Sequence, residues 1–402
     1  MPVLLIATLD TKGTEAAFVR DQLRAAGLEV LVADAGSRGE PAFAPEIDRQ
    51  TLFREGGTAL AEVAHERGQA VAAAARGAAA LARRLQPQGV IGLGGSAGTT
   101  IATAAMRELP VGVPKIMVST LASGQVRPYV GVRDICMIHS VVDIAGLNRI
   151  SRRILSNAAQ ALIGMLQAPP LPPSNRPVVG ATMFGVTTPC VDACRAAMEA
   201  AGYEVLVFHA TGTGGQTLEG LIHDGELAGV LDVTTTELAD ELVGGVLSAG
   251  PDRLTAASQR GLPQVISVGA LDMVNFGPRD TVPEKFAQRR FHIHNPTVTL
   301  MRTTPEENDA LGQQIAYRAS ASRGPVALFL PLRGLSALDV PDGPFWWPEA
   351  DQALFASIRL WTGPNVKLVE MDCHLNDPAF AAAMVAELQA MMQSTSHAAG
   401  VR

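Results

Sequence analysis

Residues 89–109 read GVIGLGGSAGTTIATAAMREL. They begin as an apolar strand (89–95), pass through closely spaced glycines and continue as an alanine-rich helix (102–109). Glycine lets the backbone turn sharply and leaves it open to close approach, because no Cβ stands in the way. The helix that follows would point unpaired N–H groups and a positive dipole end at an anion. A strand, a glycine loop and a helix in this order predict a parallel α/β domain.

The same alternation continues outward from this segment. Continuous apolar strands separated by helices are typical of a parallel sheet covered on both faces. The other strands predicted in the first half span residues 3–9, 28–34, 114–120 and 129–142. The helices predicted there span 15–26, 57–85, 102–109 and 146–167, and a polar loop is expected to run to about residue 54.

A proline-rich stretch, APPLPPSNRP at 168–177, interrupts the alternation. Repeated prolines cannot continue a helix and favour extended chain, so we expect a linker there. Strands are predicted again at 177–185, 203–210, 229–233, 264–272, 290–294, 326–331 and 366–371. Helices are predicted between them. The sequence thus predicts two Rossmann-like, doubly wound parallel-sheet domains, 1–167 and 178–402.

Composition limits the classes of function. The 402 residues carry a formal net charge of −7, which disfavours general binding to nucleic acid. No apolar segment approaches the ~20 residues that span a bilayer, and MPVLLIATLD at the start is predicted to be a strand rather than a signal peptide. We therefore expect a cytoplasmic protein without a membrane partner. The four cysteines lack zinc-site spacing and are expected to be reduced thiols.

The first glycine loop is the strongest candidate ligand site. Its hydroxyls, from Ser96, Thr99 and Thr100, could donate to phosphate oxygens. It is not a Walker A loop, since no GK[ST] follows. A GxGxxA pattern is present, but the next strand ends at Ser119 and Thr120 without a carboxylate, which disfavours NAD there. A tight turn with glycines for packing remains the alternative. A serine nucleophile at GGSAG is a weaker one.

The first turn, DTKGTE at 10–15, ends the first strand at the sheet edge where ligands bind in open parallel sheets. Lys12 could pair with a phosphate, next to Thr11. Asp10 could hold Mg²⁺ through water. The alternative is a threonine-capped helix start with an exposed Lys12.

A second glycine loop, HATGTGGQT at 209–217, follows a strand in the same way. Its residues Gly212, Thr213, Gly214 and Gly215 form a second candidate loop. Asp232 ends the next strand at a spacing that permits a ribose contact. The TTTE that follows it also resembles a helix start with Glu237 in the first turn, so a capping role is equally open.

Polar side chains follow several strands of the second half. The candidates for acid/base, substrate-binding or metal-binding roles are Asp272, His292, His294, Arg302 and Arg333. His292 and His294 alternate in FHIHN and should share one strand face. Converging strand ends would bring such groups into one cleft. For any single histidine a structural role is the alternative.

Several stretches together resemble a known family. They are ATLDTKGTE (7–15), GLGGSAGTT (92–100), FHATGTGGQTLE (208–219), GVLDVTTTELADELVGG (229–245), GALDMVNFG (269–277) and HNPTVTLMRTT (294–304). They are similar to a bacterial and fungal family of uncharacterised proteins, homologous to the ATP-binding N-terminal region of a plant tobamovirus-resistance protein. The resemblance covers nearly the whole chain.

The resemblance implies two Rossmann-like subdomains, dimerisation and ATP binding in the first. The implied ATP contacts are Gly94, Gly95, Ser96, Gly98, Thr99 and Thr100, with Thr11 and Lys12. We therefore expect a homodimeric ATP-binding protein, with Mg²⁺, acting as an enzyme on a small anionic metabolite at an interdomain cleft. The alternatives are a nucleotide-sensing protein without turnover, and an NAD-dependent oxidoreductase that uses the Gly212 loop.

Overall fold

The structure, a computed structural model, describes residues 1–172 and 174–400, with side chains up to residue 395. The chain divides into two compact units, Met1–Pro172 and Pro173–Arg402. Among the described residues, no helix combines the length and the apolar character needed to cross a membrane.

The first unit is built on one sheet of five parallel strands. The strands are β1 (Val3–Ala7), β2 (Val30–Asp34), β3 (Gly89–Gly94), β4 (Lys115–Ser119) and β5 (Cys136–His139). The helices are α1 (Leu9–Ala25), α2 (Arg49–Glu55), α3 (Leu60–Val63), α4 (Arg67–Leu85), α5 (Ser96–Arg107), α6 (Arg127–Val130) and α7 (Arg149–Gln167). The strand order is β2-β1-β3-β4-β5. The chain therefore winds outward in both directions from the β1/β3 pair.

Both faces of this sheet are covered, as the apolar strands predict. Alternate residues of β1, such as Leu4 and Ile6, pack with α4 and α5 in one buried cluster. Their neighbours Val3 and Leu5 pack with α1 and α7 in another. All five residues of β1 are buried, which explains why the strand reads as a continuous apolar run.

The second unit contains a parallel sheet and a separate antiparallel one. Its strands are β6 (Val178–Met183), β7 (Glu204–His209), β8 (Gly229–Thr234), β9 (Gln264–Gly269), β10 (Met273–Phe276), β11 (Phe291–Asn295), β12 (Val298–Arg302), β13 (Val326–Pro331) and β14 (Lys367–Met371). Its helices are α8 (Thr188–Ala200), α9 (Thr213–Asp224), α10 (Thr236–Val243), α11 (Ala256–Arg260), α12 (Pro305–Ser320), α13 (Pro348–Trp361) and α14 (Pro378–Gly400). The orders are β14-β13-β9-β8-β6-β7 and β10-β12-β11.

The prediction of two doubly wound parallel-sheet domains is confirmed, with three local corrections. The single helix predicted over 57–85 is wrong, because residues 57–59 are not helical, with a φ of +73° at Gly57, and the rest divides into α3 and α4. Helix α2 lies in the stretch that was predicted to be a polar loop. The strand predicted over 129–142 shrinks to β5, since residues 127–130 form the short helix α6 with Pro128 in its first turn. The strand near 290–294 belongs to the antiparallel sheet, so His292 and His294 do not end a parallel strand.

Close packing of α2 on α4 yields a stability prediction. A Cβ atom on Gly77 of α4 would lie 2.0 Å from the carbonyl oxygen of Leu52 in α2. We expect Gly77→Ala to lower the free energy of unfolding by about 2 kcal/mol, because the two helices would have to separate. The matched control is Gly164→Ala in α7, where nothing lies within 4 Å of the added atom.

That control should raise the free energy of unfolding by about 0.5–1 kcal/mol through helix propensity alone. Urea denaturation of both variants makes the comparison. Equal stability of the two variants would show that the α2–α4 contact does not limit packing.

Candidate functional site

A cleft of about 540 Å³ opens at the carboxyl ends of β1 and β3. These strands flank the point where the strand order reverses, which is where ligands bind in open α/β sheets. The cleft is lined by Thr8, Asp10, Thr11, Lys12, Ala35, Ser37, Arg38, Gly39, Arg67, Ala70, Val71, Gly94, Gly95, Ser96, Ala97, Gly98, Ile101 and Asp143. Six of the eight residues predicted for a nucleotide phosphate are among them.

The glycine loop forms the floor where β3 passes into α5. A Cβ atom on Gly94 would lie 2.8 Å from Cα of Gly98, and one on Gly98 would lie 2.9 Å from the oxygen of Leu93. The first intrahelical bond runs from the N–H of Thr99 to the oxygen of Gly95 at 2.8 Å. The N–H groups of residues 96–98 therefore precede the helical ladder and are free of intrahelical partners by geometry.

Gly95 differs from the other glycines of this loop. Its φ of −83° suits any residue, and the nearest atom to an added Cβ is Oγ1 of Thr120 at 3.6 Å. Packing therefore does not require glycine at this position. A side chain there would instead extend into open space beside the N-terminus of α5.

Thr99 and Thr100 do not line the cleft, which corrects the prediction that their hydroxyls face a ligand. Thr99 is buried, and its Oγ1 donates to the Gly95 oxygen at 2.8 Å and contacts Oγ of Ser119 at 2.7 Å. The Thr100 hydroxyl donates to the oxygen of Ser96 at 2.9 Å. Both threonine hydroxyls therefore bond the backbone of the loop rather than face the cleft.

The β1–α1 turn forms a second wall. Helix α1 is interrupted at Lys12, whose φ and ψ are −127° and 16°. The Lys12 ammonium donates to the carbonyl oxygen of Ile144. Thr8 precedes the helix without a side-chain capping bond, and its hydroxyl instead meets that of Thr11 at 2.8 Å. The threonine-cap interpretation of this turn is therefore wrong.

Asp34, at the end of β2, holds the neighbouring loops in place. Its buried Oδ1 accepts the N–H groups of Leu9 at 3.0 Å and Gly36 at 2.8 Å, and its Oδ2 accepts Nε of Arg49 at 2.7 Å. In dinucleotide-binding folds an acidic residue near this position binds ribose. Here both carboxylate oxygens of Asp34 already accept hydrogen bonds from the protein itself. The sequence pattern gave no sign of this role.

Charges of both signs line the cleft. The cations are Lys12, Arg38 and Arg67, and the carboxylates are Asp10 and Asp143. The N–H of Arg38 donates to Oδ2 of Asp10 at 3.3 Å. Neither the two arginines nor Asp143 could be predicted from local pattern, because Arg38 follows β2, Arg67 begins α4 and Asp143 lies between β5 and α7. The strand order β2-β1-β3-β4-β5 is what brings these segments to one cleft.

The second glycine loop is occupied by the protein itself. One carboxylate oxygen of Glu237 accepts the N–H of Gly212 at 2.7 Å and that of Gly215 at 3.0 Å. These amides begin α9, so Glu237 caps a neighbouring helix rather than its own. The predicted helix start is present, because Glu237 lies in the first turn of α10, but its carboxylate does not cap that helix. The amides of Gly212 and Gly215 are not left for a dinucleotide phosphate.

Asp232 is also engaged internally. Its two oxygens accept hydrogen bonds from Nη1 and Nη2 of the fully buried Arg253, each at 2.6 Å, and Oδ1 also accepts one from the Thr182 hydroxyl at 2.8 Å. Nε of Arg253 bonds the second oxygen of Glu237 at 2.7 Å. This network leaves Asp232 2% exposed, so the predicted ribose contact is wrong.

Strand order explains why two similar glycine loops differ. The first follows β3, a central strand beside the reversal, whereas the second follows β7, the edge strand of its sheet. The reversal of the second sheet lies between β6 and β8. There the chain continues into three consecutive buried threonines, Thr234, Thr235 and Thr236.

Asp272 and Arg302 belong to a buried cluster in the second unit. Arg302 bonds the Phe345 oxygen at 2.7 Å and Asp351 at 2.6 Å, with Asp339 at 3.9 Å. Asp272 accepts the Ser336 hydroxyl at 2.7 Å, while its other oxygen has no partner among the described residues. Arg302 is fully buried, so its guanidinium cannot bind a substrate that arrives from solution.

Burial perturbs the carboxyls of this cluster. Desolvation, followed by the charge of Asp339, raises the pKa of Asp272 from 3.8 to about 7. Desolvation likewise raises the pKa of Asp351 to about 8, against the opposing effect of Arg302. A single guanidinium faces three carboxyls, so the cluster retains protons near neutral pH.

The remaining predicted residues lie on the surface. The rings of His292 and His294 have centroids 6.4 Å apart, which confirms that they share one strand face. Arg333 forms a two-point ion pair with Asp372, both bonds at 2.7 Å, and the two side chains are 65% and 72% exposed. No hydrogen bond or ion pair among the described residues links Arg333 to the histidines. The structure therefore does not assemble the five candidates into one cleft.

Fold and site together define a two-unit α/β protein with a charged cleft at the strand reversal of its first sheet. Residues 1–170 match the N-terminal domain of an uncharacterised protein family (UPF0261), and residues 176–392 match its C-terminal domain. The chain belongs to this family.

Relatives confirm the assignment along the whole chain. A UPF0261 protein of Clostridium tetani is 50% identical over 400 residues, covering 97% of this chain and 99% of that protein. The ToMV resistance protein Tm-1(GCR237) of Solanum lycopersicum is 39% identical over 412 residues, covering 95% of this chain and 55% of that protein. The chain thus corresponds to about half of the tomato protein.

A solved structure of UDP-N-acetylglucosamine 2-epimerase from Rickettsia bellii gives a TM-score of 0.25 at 10% identity, covering 66% of this chain and 78% of that one. Similarity at this level supports no statement about function.

The buried Asp272 carboxyl yields a pH prediction. Its pKa is raised, so the stability contributed by its proton is complete below about pH 4 and is lost as pH rises through about 7. We expect Asp272→Asn to reduce the loss of unfolding free energy between about pH 5 and about pH 8 by roughly 2 kcal/mol. Urea denaturation at both pH values measures the difference.

The matched control is Asp372→Asn on the surface. Arg333 lowers the pKa of Asp372, so its titration lies below this pH range and the stability difference should not change. If Asp272→Asn keeps the full pH dependence of the wild type, the carboxyl is not protonated in the folded state.

Proposed function

We propose that the cleft of the first unit binds a phosphorylated nucleotide, with ATP as the natural candidate. The observation that supports this most is the Gly94–Gly98 loop, whose backbone amides begin α5 at the strand reversal. Unpaired amides and the positive end of a helix dipole favour an anion at this point. The family resemblance to the ATP-binding region of a plant protein points to the same ligand.

The size and lining of the cleft support a ligand larger than a free phosphate. A volume of about 540 Å³ falls in the usual range of ligand pockets, about 300–1,000 Å³. Ala70, Val71 and Ile101 supply apolar surface, on which a base could pack. The amides and cations supply the polar part. This combination suits a nucleotide, which has one apolar and one highly charged end.

Three cations in the cleft would balance a polyphosphate. Arg38 and Arg67 are exposed and can orient towards a ligand. Lys12 is bonded only to a neutral carbonyl in the described contacts, and a phosphate oxygen would be a stronger partner for its ammonium. We therefore assign Lys12 to the phosphate group, with Thr11 beside it.

Mg²⁺ would be held jointly by the nucleotide and the protein. No group of three or more acidic, histidine or cysteine side chains among the described residues could hold a metal ion. Magnesium in nucleotide sites commonly uses one or two carboxylates in addition to phosphate oxygens. Asp10 and Asp143 line the same cleft and fit that requirement. Carboxylates next to the phosphates favour an enzyme over a protein that only senses the nucleotide.

Gly95→Asp tests the loop directly. The substitution places a carboxylate beside the α5 amides without a steric clash, because only Oγ1 of Thr120 lies within 4 Å of the added Cβ. We expect the affinity for ATP to fall at least about 100-fold, since like charges brought together cost several kcal/mol. Isothermal titration calorimetry with ATP and Mg²⁺ measures the change.

Gly164→Asp is the matched control, because it adds the same charge on an open, exposed helix surface. It should bind ATP like the wild type, and both variants should unfold cooperatively. A panel of nucleotides in a thermal-shift assay adds specificity: ATP with Mg²⁺ should stabilise the protein and NAD should not. Unchanged ATP affinity in Gly95→Asp would refute the assignment of the loop.

A further inference from the structure

Arg38 and Arg67 form a pair of cations at one end of the cleft in the first unit. Arg38 follows β2, Arg67 begins α4, and both residues are exposed. Neither guanidinium makes a hydrogen bond or an ion pair within the described part of the chain. The bond between Arg38 and Asp10 comes from the backbone N–H of Arg38, so it does not occupy the guanidinium. Both side chains can therefore bind a ligand.

The third cation of the cleft lies on another side of the glycine loop. The Lys12 ammonium donates to the oxygen of Ile144, which packs in the buried cluster on the α1/α7 face of the sheet. Ala70, next to Arg67 on α4, packs in the cluster on the opposite face. Lys12 and Arg67 therefore approach the loop from opposite faces and can bind different groups of one ligand.

Arg67 borders the apolar surface of the cleft. It precedes Ala70 and Val71 by three and four residues, which places all three on one face of α4. Ala70 and Ile101 belong to one buried cluster, and Val71 packs against it. A nucleobase packed on this surface would lie next to the Arg67 side chain. The arginines are therefore nearer to the nucleoside end of a bound nucleotide than to its terminal phosphate.

The ribose of such a nucleotide would face the segment after β2. Its 5′-phosphate would lie on the α5 amides and its base on the apolar surface, which leaves the ribose between them. The cleft wall at this point is lined by Ala35, Ser37, Arg38 and Gly39. In dinucleotide-binding folds the ribose also faces the end of β2, where an acidic residue binds its free 2′-hydroxyl or an arginine accommodates a phosphate there.

The end of β2 in this protein offers the second of these two chemistries. Both oxygens of Asp34 accept N–H groups of the protein itself, so neither is left for a hydroxyl. Arg38 offers a guanidinium and Ser37 a hydroxyl, and both residues line the cleft. Guanidinium binds phosphate through charge-assisted, often bidentate hydrogen bonds. This wall therefore suits a phosphate group better than a free ribose hydroxyl.

We propose that the cleft binds a nucleotide with a second phosphate on a ribose hydroxyl, in addition to its 5′-phosphate, and that Arg38 and Arg67 bind this second phosphate. The inference rests on the nucleotide proposal above and adds the class of nucleotide. The spacing of the sheet is compatible with it. β1 separates β2 from β3, so the ends of these two strands lie about 10 Å apart. One ribose with a phosphate on either side fits this span.

Calorimetry with the full chain at low ionic strength tests the second phosphate. The ligands are AMP, ADP, adenosine 2′,5′-bisphosphate and adenosine 3′,5′-bisphosphate. We expect one of the two bisphosphates to bind at least about tenfold more tightly than AMP, because two arginines gain a charged partner. The better bisphosphate identifies the ribose hydroxyl. ADP has the same number of phosphates, all at the 5′ end, and controls for ligand charge.

Variants locate the subsite through the ratio of bisphosphate affinity to AMP affinity. Arg38→Gln and Arg67→Gln should each lower this ratio about threefold or more, and the double variant should bring it close to one. Lys12→Gln should weaken the binding of AMP and of the bisphosphate by the same factor and leave the ratio unchanged. Arg54→Gln is the matched control, because Arg54 is an exposed arginine of α2 outside the cleft lining, and it should bind every ligand like the wild type.

Two results would overturn the subsite and leave the nucleotide proposal intact. One is ATP binding by a protein for which neither bisphosphate is better than AMP. The other is an equal loss of ADP and bisphosphate affinity in the Arg38 and Arg67 variants, which would place both arginines on the 5′-phosphates. Absence of binding by ATP and by all four test ligands would refute the proposed function, and the ribose-phosphate subsite with it.

Discussion

The start of α5 lies so close to the end of β3 that neither Gly94 nor Gly98 has room for a Cβ atom. This contact places the first turn of α5 at the β1/β3 reversal and aims its amides into the cleft. Buried polar groups hold the other sides of the cleft in position relative to α5. Asp34 accepts hydrogen bonds from the segments after β1 and β2, and Thr99 bonds the glycine loop to β4. The site thus depends on tight backbone packing more than on any charged side chain.

The sequence alone was sufficient to predict those features of the fold that depend on local pattern. Apolar runs such as 3–9 predicted buried parallel strands, and the glycines at 92–98 predicted where a strand would meet a helix at the sheet edge. The partners of that loop could not be found in this way. Arg38 and Arg67 lie in the segment between β2 and β3, and Asp143 lies between β5 and α7. Only the order of the strands brings them to the cleft beside Gly95.

The errors have a common physical origin, because the same residue types serve ligands and the protein interior. Asp272 and Arg302 lie at strand ends and were therefore predicted to line a cleft. Both are instead fully buried in a cluster of three carboxyls and one guanidinium. Likewise, the spacing of Asp232 from the Gly212 loop suits a ribose contact, but both carboxylate oxygens of Asp232 accept hydrogen bonds from Arg253. Burial depends on the whole sheet, and local spacing does not reveal it.

The Glu237 carboxylate has a wider consequence for the second unit. It binds the amides of the Gly212 loop as an intramolecular competitor, at an effective concentration that a dissolved anion rarely matches. The loop is therefore closed to phosphate although no bulky group blocks it. Of the two glycine loops of similar sequence, one therefore has its amides occupied by a carboxylate of the same chain.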